Sequence, residues 1–105
     1  MAQSLAKLWT HLIFSTKDRF PFLSDKKIRS DMHGYLAQML RNYDCETLIV
    51  GGVEDHIHAL FARSRKYSIA TVVKEVKRTY SIAIKEKARS LSKFYWQGGI
   101  WSFLS

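Results

Sequence analysis

The clearest hydrophobic pattern in the chain is the strongly apolar segment 56–62, His-Ile-His-Ala-Leu-Phe-Ala, which opens with two histidines spaced two residues apart. Because residues two apart on a strand point to the same face, His56 and His58 share one face and the intervening apolar residues share the other. The aliphatic run Leu48–Val50 precedes this segment, and residues 51–55 supply a Gly-Gly break and an acidic turn tip. The pattern therefore predicts two strands joined by a short polar turn, with a His-x-His pair opening the second.

The same reading predicts one strand before this pair and two helices. Residues 6–15 alternate with apolar residues on both faces, which predicts a central strand covered on both sides. Ser24 is placed as the N-cap of a helix over residues 25–43, where apolar residues recur at helical spacing. Ser68 is placed as the cap of a second helix over residues 69–89, which carries another apolar stripe.

Aromatic residues on both sides of a Gly-Gly break predict a final strand over residues 94–105. The predicted order is β-α-β-β-α-β, an α+β fold with the ferredoxin-like layout: an antiparallel sheet with two helices on one face. The other face is then available for a ligand. A length of 105 residues predicts a single domain over residues 1–105.

Composition narrows the choice of partner. The net charge of +8 and the sequence pI near 9.8 favour a polyanion, with nucleic acid ahead of a membrane surface. The sequence contains no apolar run of membrane-spanning length. Cys45 is the only cysteine, which excludes an internal disulfide and fits a reducing cytoplasm.

Basic residues concentrate in three places. The loop around Phe20 combines a Lys-x-Arg with an aromatic, which suits phosphate contact and base stacking. A basic turn follows the second strand of the pair. On the second helix, about 100° of rotation per residue predicts that the basic residues share a face opposite the apolar stripe. Glu75 and Glu86 are predicted to lie off that basic face. A solvated loop and a solvated charged face are the alternatives. The candidate DNA contacts are Lys17, Arg19, Arg63, Arg65, Lys74, Lys77, Arg78 and Lys85.

The His-x-His pair is a candidate half-site for a divalent metal. The two residues lie roughly 6–7 Å apart at Cα in an extended strand, close enough for both rings to reach one ion. Incidental surface or packing histidines are the alternative. Two ligands do not complete a catalytic site, so a third must come from elsewhere; His11 is one candidate, although a satisfied structural histidine is the commoner case.

At these motifs the chain resembles the small single-tyrosine HUH transposases of bacterial insertion sequences and their REP-associated relatives. The resemblance covers nearly the whole chain. It rests on residues 11–19, on Gly-Gly-Val-Glu-Asp-His-Ile-His at 51–58, on Val-Val-Lys-Glu-Val-Lys at 72–77, and on Trp-Gln-Gly-Gly at 96–99 leading to Phe103.

The resemblance implies a bacterial cytoplasmic protein, nucleoid-associated when bound to DNA, that acts on single-stranded DNA hairpins during DNA transposition. It implies that His56 and His58 bind Mg²⁺ or Mn²⁺ and that a homodimer forms by edge-strand pairing. It also implies attack by a tyrosine to give a 5′-phosphotyrosine and a free 3′-hydroxyl.

The family's nucleophilic tyrosine and third metal ligand, a glutamine, lie on a helix that is expected beyond Ser105. The domain is therefore expected to lack the C-terminal catalytic helix, and Tyr67 and Tyr95 are weak substitute nucleophiles. This leaves enzymatic activity open. The alternatives are a catalytically inactive DNA-binding remnant or regulator, and an RRM-like RNA-binding module.

Overall fold

The computed structural model describes residues 9–97. The helices and strands in this range are β1 (Trp9–Ser15), α1 (Lys26–Asn42), β2 (Thr47–Gly52), β3 (His56–Ala62) and α2 (Ile69–Lys85), with short 3-10 turns at Lys17–Arg19 and Arg89–Leu91. None of the helices within this range is long and apolar enough to cross a membrane.

The three strands form an antiparallel sheet in the order β1-β3-β2. In this register Ser15 lies opposite His56 and Ile13 lies opposite His58. Beyond the end of β1, Thr16 forms a β-bridge with Trp96, and the amide of Gln97 donates to the carbonyl of Ser15 at 2.7 Å. Trp96 and Gln97 thus lie along the outer side of β1, and residues 98–105 of the predicted last strand lie outside the described part of the chain.

Both helices pack on the same face of the sheet, so the predicted α+β architecture with two helices on one face is confirmed. The helix stripes meet the inward-facing residues of β1 and β3 in one apolar core. Burying this apolar area is the main favourable contribution to folding. The fully buried members include Leu12, Phe14, Met32, Leu36, Leu40, Ile57, Phe61, Val73, Val76, Tyr80, Phe94 and Trp96.

The opposite face of β1 carries Trp9, His11 and Ile13, and all three are exposed. The sequence predicted cover on both faces of this strand because both faces are largely apolar. Among the described residues, however, the helices cover only the face that carries Leu12 and Phe14. The sheet therefore presents an open face next to the His-x-His pair.

The helix ends differ slightly from the sequence prediction. Asp25, not Ser24, caps α1: its carboxylate accepts from the amides of Lys27 and Ile28, while the Ser24 hydroxyl donates to the Pro21 carbonyl. Both residue types are good N-caps, so composition alone did not separate them. Ser68 caps α2 as predicted, and α2 ends at Lys85, four residues before the predicted end.

The prediction that Lys77 lies on the outer face of α2 is wrong. Lys77 is 1% exposed, and its Nζ lies 5.4 Å from the ring centroid of Phe14 and 5.9 Å from that of Trp96. Helical geometry explains this position, because Lys77 is only about 40° around the helix from Val73 and about 60° from Tyr80, which places it within the apolar stripe. Burial lowers the pKa of the Lys77 ammonium to about 8.

We expect Lys77→Met to change how stability depends on pH. The folded state releases the Lys77 proton near pH 8, whereas an unfolded lysine keeps it to about pH 10.4. Between these values the unfolded state binds more protons, so the free energy of unfolding of the wild type rises with pH, by at most about 1.4 kcal/mol per pH unit. Met removes this rise, and urea denaturation from pH 7 to pH 10 measures it.

Lys85→Met is the matched control, since Lys85 is exposed on the same helix. Its stability curve should run parallel to that of the wild type. A difference between the wild type and Lys77→Met that stayed constant from pH 7 to pH 10 would contradict the prediction.

Candidate metal and nucleic-acid site

The two histidines of β3 point to the open face of the sheet. Inward-facing Ile57, Ala59 and Phe61 are buried in the core, so His56 and His58 fall on the other side and are partly exposed. They line a shallow cavity of about 300 Å³ on that face. The cavity is lined by His11, Ile13, Ser15, Arg19, His56 and His58.

One carboxylate connects His56 to Arg19. Asp55 Oδ1 lies 2.9 Å from His56 Nδ1, and Asp55 Oδ2 accepts from Arg19 Nε at 3.2 Å. The hydrogen bond with His56 and the neighbouring Arg19 guanidinium hold the pKa of the Asp55 carboxyl below its usual range. With Nδ1 engaged by the carboxylate, His56 presents Nε2 as its available ligand atom, the usual arrangement of a metal-binding histidine.

Gly51 makes room for the ring of His58. Gly51 pairs with His58 across the β2–β3 ladder, and a Cβ at position 51 would lie 3.3 Å from His58 Cε1 and 3.4 Å from Nε2. The next residue, Gly52, is constrained more strongly, because a Cβ there would lie 2.3 Å from the carbonyl oxygen of His56. The Gly-Gly pair therefore leaves room for the His58 ring and for the backbone of the histidine strand.

His11 shares the cavity but does not complete a metal site. Its ring meets that of His58 edge-on, with centroids 5.7 Å apart. Among residues 9–97, no group of three or more His, Cys, Asp or Glu side chains is arranged to hold one metal ion. The described residues of β3 therefore supply two imidazoles, and the source of a third ligand stays a prediction.

The predicted DNA-contacting residues divide into three separate surfaces. Lys17 and Arg19 lie on the turn that follows β1, at the His56 end of the sheet. Arg63 and Arg65 follow β3 at its other end, roughly 20 Å from His56 for a strand of this length. The remaining residues belong to α2, on the covered side of the sheet.

The basic face of α2 also carries an acidic residue. Glu75 pairs with Arg78 and with Lys74, so it is not rotated away from the basic residues as the sequence analysis placed it. The hydrogen bond from Arg78 lowers the pKa of the Glu75 carboxyl. Lys85 remains exposed near the end of the helix. This surface is less positive than the sequence indicated, since Glu75 offsets part of its charge and Lys77 is buried.

Arg63 and Arg65 line a second cavity, of about 460 Å³, together with Arg41. Arg63 Nε donates to the hydroxyl of Thr10 at 3.0 Å. Asp44 and Glu46 line the same cavity, so it carries both positive and negative side chains. Sequence reasoning missed Arg41, because it is distant from the other two arginines in sequence and only the tertiary fold brings the last turn of α1 to the same cavity.

The two substitute tyrosines lie at opposite ends of the sheet. Tyr67 follows β3 beyond Ala62 and packs edge-on against Tyr43, with ring centroids 5.3 Å apart. Tyr95 lies at the His56 end, where its carbonyl accepts from the amide of Lys17 at 2.8 Å, and its side chain is 51% exposed. Tyr95 is therefore the closer of the two to the histidine cavity.

These features define a class: an α+β domain whose antiparallel sheet covers two helices with one face and presents paired histidines on the other. The sequence profile of the family described as "Transposase IS200 like" matches residues 4–103. The chain belongs to this transposase family, which implies a DNA partner and, in general terms, a divalent metal.

A solved structure has the same fold. The chain is similar to a crystal structure of a putative transposase from Deinococcus radiodurans R1, with a TM-score of 0.81 and 23% sequence identity. The match covers 99% of this chain and 81% of that one. A comparison with curated proteins gives no significant match.

Gly51→Ala should disturb His58 while leaving the fold intact. The added Cβ would lie at 3.3–3.4 Å from the imidazole, so the ring must shift by a few tenths of an ångström, at a cost of about 1 kcal/mol in the free energy of unfolding. The ring-proton NMR signals of His58 report the shift, and urea denaturation reports the stability.

Gly34→Ala is the matched control. A Cβ at position 34 meets nothing within 4 Å, and glycine in a helix costs about 1 kcal/mol relative to alanine. This variant should be more stable than the wild type, with unchanged His58 signals. If both substitutions left those signals unchanged, Gly51 would have no part in placing the ring.

Proposed function

We propose that the protein binds single-stranded DNA at hairpins and places a phosphodiester in the cavity formed by His56, His58 and Arg19. The observation that carries this proposal is the Asp55 carboxylate, which bonds to both His56 and Arg19. It brings an imidazole and a guanidinium to one cavity on the open face. These are the groups that a metal ion and a phosphate oxygen require.

In this proposal His56 and His58 hold a divalent cation, Mg²⁺ or Mn²⁺. When bound, the cation supplies a Lewis acid beside the phosphate oxygens. Asp55 orients His56 by accepting from Nδ1, and Gly51 leaves room for the His58 ring. Arg19 binds the phosphate through its guanidinium, whose side chain is 62% exposed and bonds to Asp55 through Nε.

The proposed chemistry is strand cleavage by a tyrosine, as in the single-tyrosine transposases that the sequence resembles. The tyrosine hydroxyl attacks phosphorus, a phosphotyrosine ester forms at the 5′ side, the bond to the 3′ oxygen breaks, and that oxygen takes a proton to become the 3′-hydroxyl. Within the described residues, Tyr95 is the candidate supported by its position, since it flanks the turn that carries Arg19.

A second candidate function is DNA binding without cleavage, as a remnant or regulator. It is favoured because residues 9–97 supply two histidines but no third ligand arranged around the same point. An RRM-like RNA-binding role is the remaining alternative. Exposed Trp9 on the open face suits base stacking, but β3 carries His56 and His58 on that face where an RRM has aromatic residues.

The proposal includes a homodimer formed by edge-strand pairing. β2 has β3 as its neighbour and no second partner among the described strands. Its residues Leu48 and Ile49 are 60% and 52% exposed. An apolar strand edge of this kind is a ready surface for pairing with a second chain.

A covalent-trapping assay tests the proposed function. Labelled single-stranded DNA containing a hairpin is mixed with the protein, with and without Mn²⁺, and resolved with and without SDS. We expect a gel shift without metal, and an SDS-resistant adduct only with Mn²⁺ if a tyrosine of this chain is the nucleophile. Loss of that adduct in Tyr95→Phe, but not in Tyr67→Phe, would identify Tyr95.

The His56→Ala/His58→Ala double variant separates the roles within this site. It should lose Mn²⁺ binding in a calorimetric titration and keep its metal-free affinity for the hairpin. A hairpin shift without any adduct favours the binding-only function. Stronger binding to single-stranded RNA than to the hairpin would reject DNA as the partner in favour of the RRM-like role.

The α2 surface can be tested by the salt dependence of hairpin binding. Lys74→Ala/Arg78→Ala removes the two basic residues of this helix that flank Glu75. If they contact phosphates, the slope of log K against log[salt], which is negative, should decrease in magnitude by about 1 for each lost contact. Lys77→Met should leave the slope unchanged because Lys77 is buried. An unchanged slope in the double variant would remove α2 from the DNA interface.

A further inference from the structure

The turn after β1 adopts a conformation that its residues do not favour. Asp18 has φ 55° and Arg19 has φ 58°, so two consecutive non-glycine residues are left-handed. For an L-residue this conformation costs roughly 1–2 kcal/mol, and such positions persist where the surroundings hold them. The residues that hold this turn therefore determine where the Arg19 side chain lies.

Contacts within the turn hold its two ends together. The amide of Arg19 donates to the carbonyl of Thr16 at 3.0 Å, and the buried Thr16 hydroxyl lies 2.7 Å from the carbonyl of Phe20. The same hydroxyl lies 3.1 Å from the carbonyl of Asp55. Thr16 thus fixes the base of the turn against the β2–β3 turn.

The tip of the turn is held by Gln97. The amide of Asp18, the first left-handed residue, donates to Gln97 Oε1 at 2.8 Å. Gln97 is itself fixed through its own amide, which donates to the carbonyl of Ser15 at 2.7 Å. The preceding Trp96 is fully buried, and its indole Nε1 donates to the carbonyl of Lys77 at 3.2 Å. The Gln97 carbonyl oxygen is therefore attached to the core at a defined position beside the turn.

These contacts determine where the Arg19 side chain points. The Arg19 side chain reaches Asp55 through Nε at 3.2 Å, and Arg19 lines the cavity that contains His56 and His58. If residue 18 relaxed to a right-handed or extended conformation, the chain would turn differently before Arg19 and carry its guanidinium away from Asp55.

We propose that Gln97 is a positioning residue, which keeps the Asp18–Arg19 turn left-handed so that Arg19 meets a DNA phosphate beside the histidine pair. This inference rests on the proposed function and deepens it. It gives a role to the Trp-Gln pair that the sequence analysis used only as a mark of resemblance. It also couples Gln97, through one side-chain hydrogen bond, to the turn that carries Arg19.

The test compares three variants in binding to an unstructured single-stranded oligonucleotide. Arg19→Ala removes the phosphate contact, so affinity should fall about 10-fold. The magnitude of the salt slope should decrease by about 0.7. Gln97→Met keeps the length of the side chain and the net charge but removes the amide oxygen. We expect Gln97→Met to lower the magnitude of the slope by the same amount. In the Arg19→Ala/Gln97→Met double variant the slope should differ little from that of Arg19→Ala alone.

A rescue separates positioning from general stability. Glycine adopts the left-handed conformation at no steric cost, so in an Asp18→Gly background the Gln97→Met substitution should have less than half its effect on the slope. The NMR signal of the Arg19 Nε–H group should move with Gln97→Met and return toward its wild-type position in the double variant.

Gln38→Met is the matched control. Gln38 makes a single side-chain hydrogen bond with Asn42 on the exposed face of α1, and its replacement should change neither the slope nor the Arg19 signal. A slope lowered by Arg19→Ala but not by Gln97→Met overturns the positioning role and leaves the proposed function intact. A slope unchanged by Arg19→Ala rejects the phosphate contact itself, and the inference with it.

Discussion

The alternation of side chains along β3 is the constraint on which the candidate site depends. The helices bury Ile57, Ala59 and Phe61. Because successive side chains of a strand point to opposite faces, His56 and His58 then lie on the other face. A slip of one residue in register would exchange the two sets and bury both imidazoles in an apolar core. The register with β1 and β2 therefore secures the fold and the site together, because the same hydrophobic burial enforces both.

A second level of organisation joins this strand to the rest of the molecule through Asp55. The carboxylate lies directly before β3, bonds to the first histidine, and reaches the Arg19 side chain on a turn 36 residues away in sequence. Gln97 holds this turn by accepting a hydrogen bond from the amide of Asp18. Three segments that are distant in sequence thus meet at the His56 end of the sheet. The geometry of the candidate site therefore depends on all three segments being folded.

The sequence predicted the elements whose signals are local. The period of two in β3 and the Ser68 cap of α2 depend on neighbouring residues alone, and both were found in place. Lys77 shows where a local rule was misapplied, since helical rotation already placed it beside Val73 on the buried stripe. The roles of Asp55 and Gln97 could not be predicted, because their partners come from distant segments that only the tertiary fold brings together.

The arrangement of charge separates affinity from positioning. The net charge of +8 attracts a polyanion as a whole, but exposed charges are screened beyond about 8 Å at physiological ionic strength. The α2 residues lie across the sheet from the histidine cavity, and the Arg63–Arg65 turn lies roughly 20 Å along it. Neither surface can therefore act on a phosphate in the cavity. In the proposed function that task falls to Arg19, on the turn after β1, and the proposed role of the neutral Gln97 amide is to fix this one charge in place.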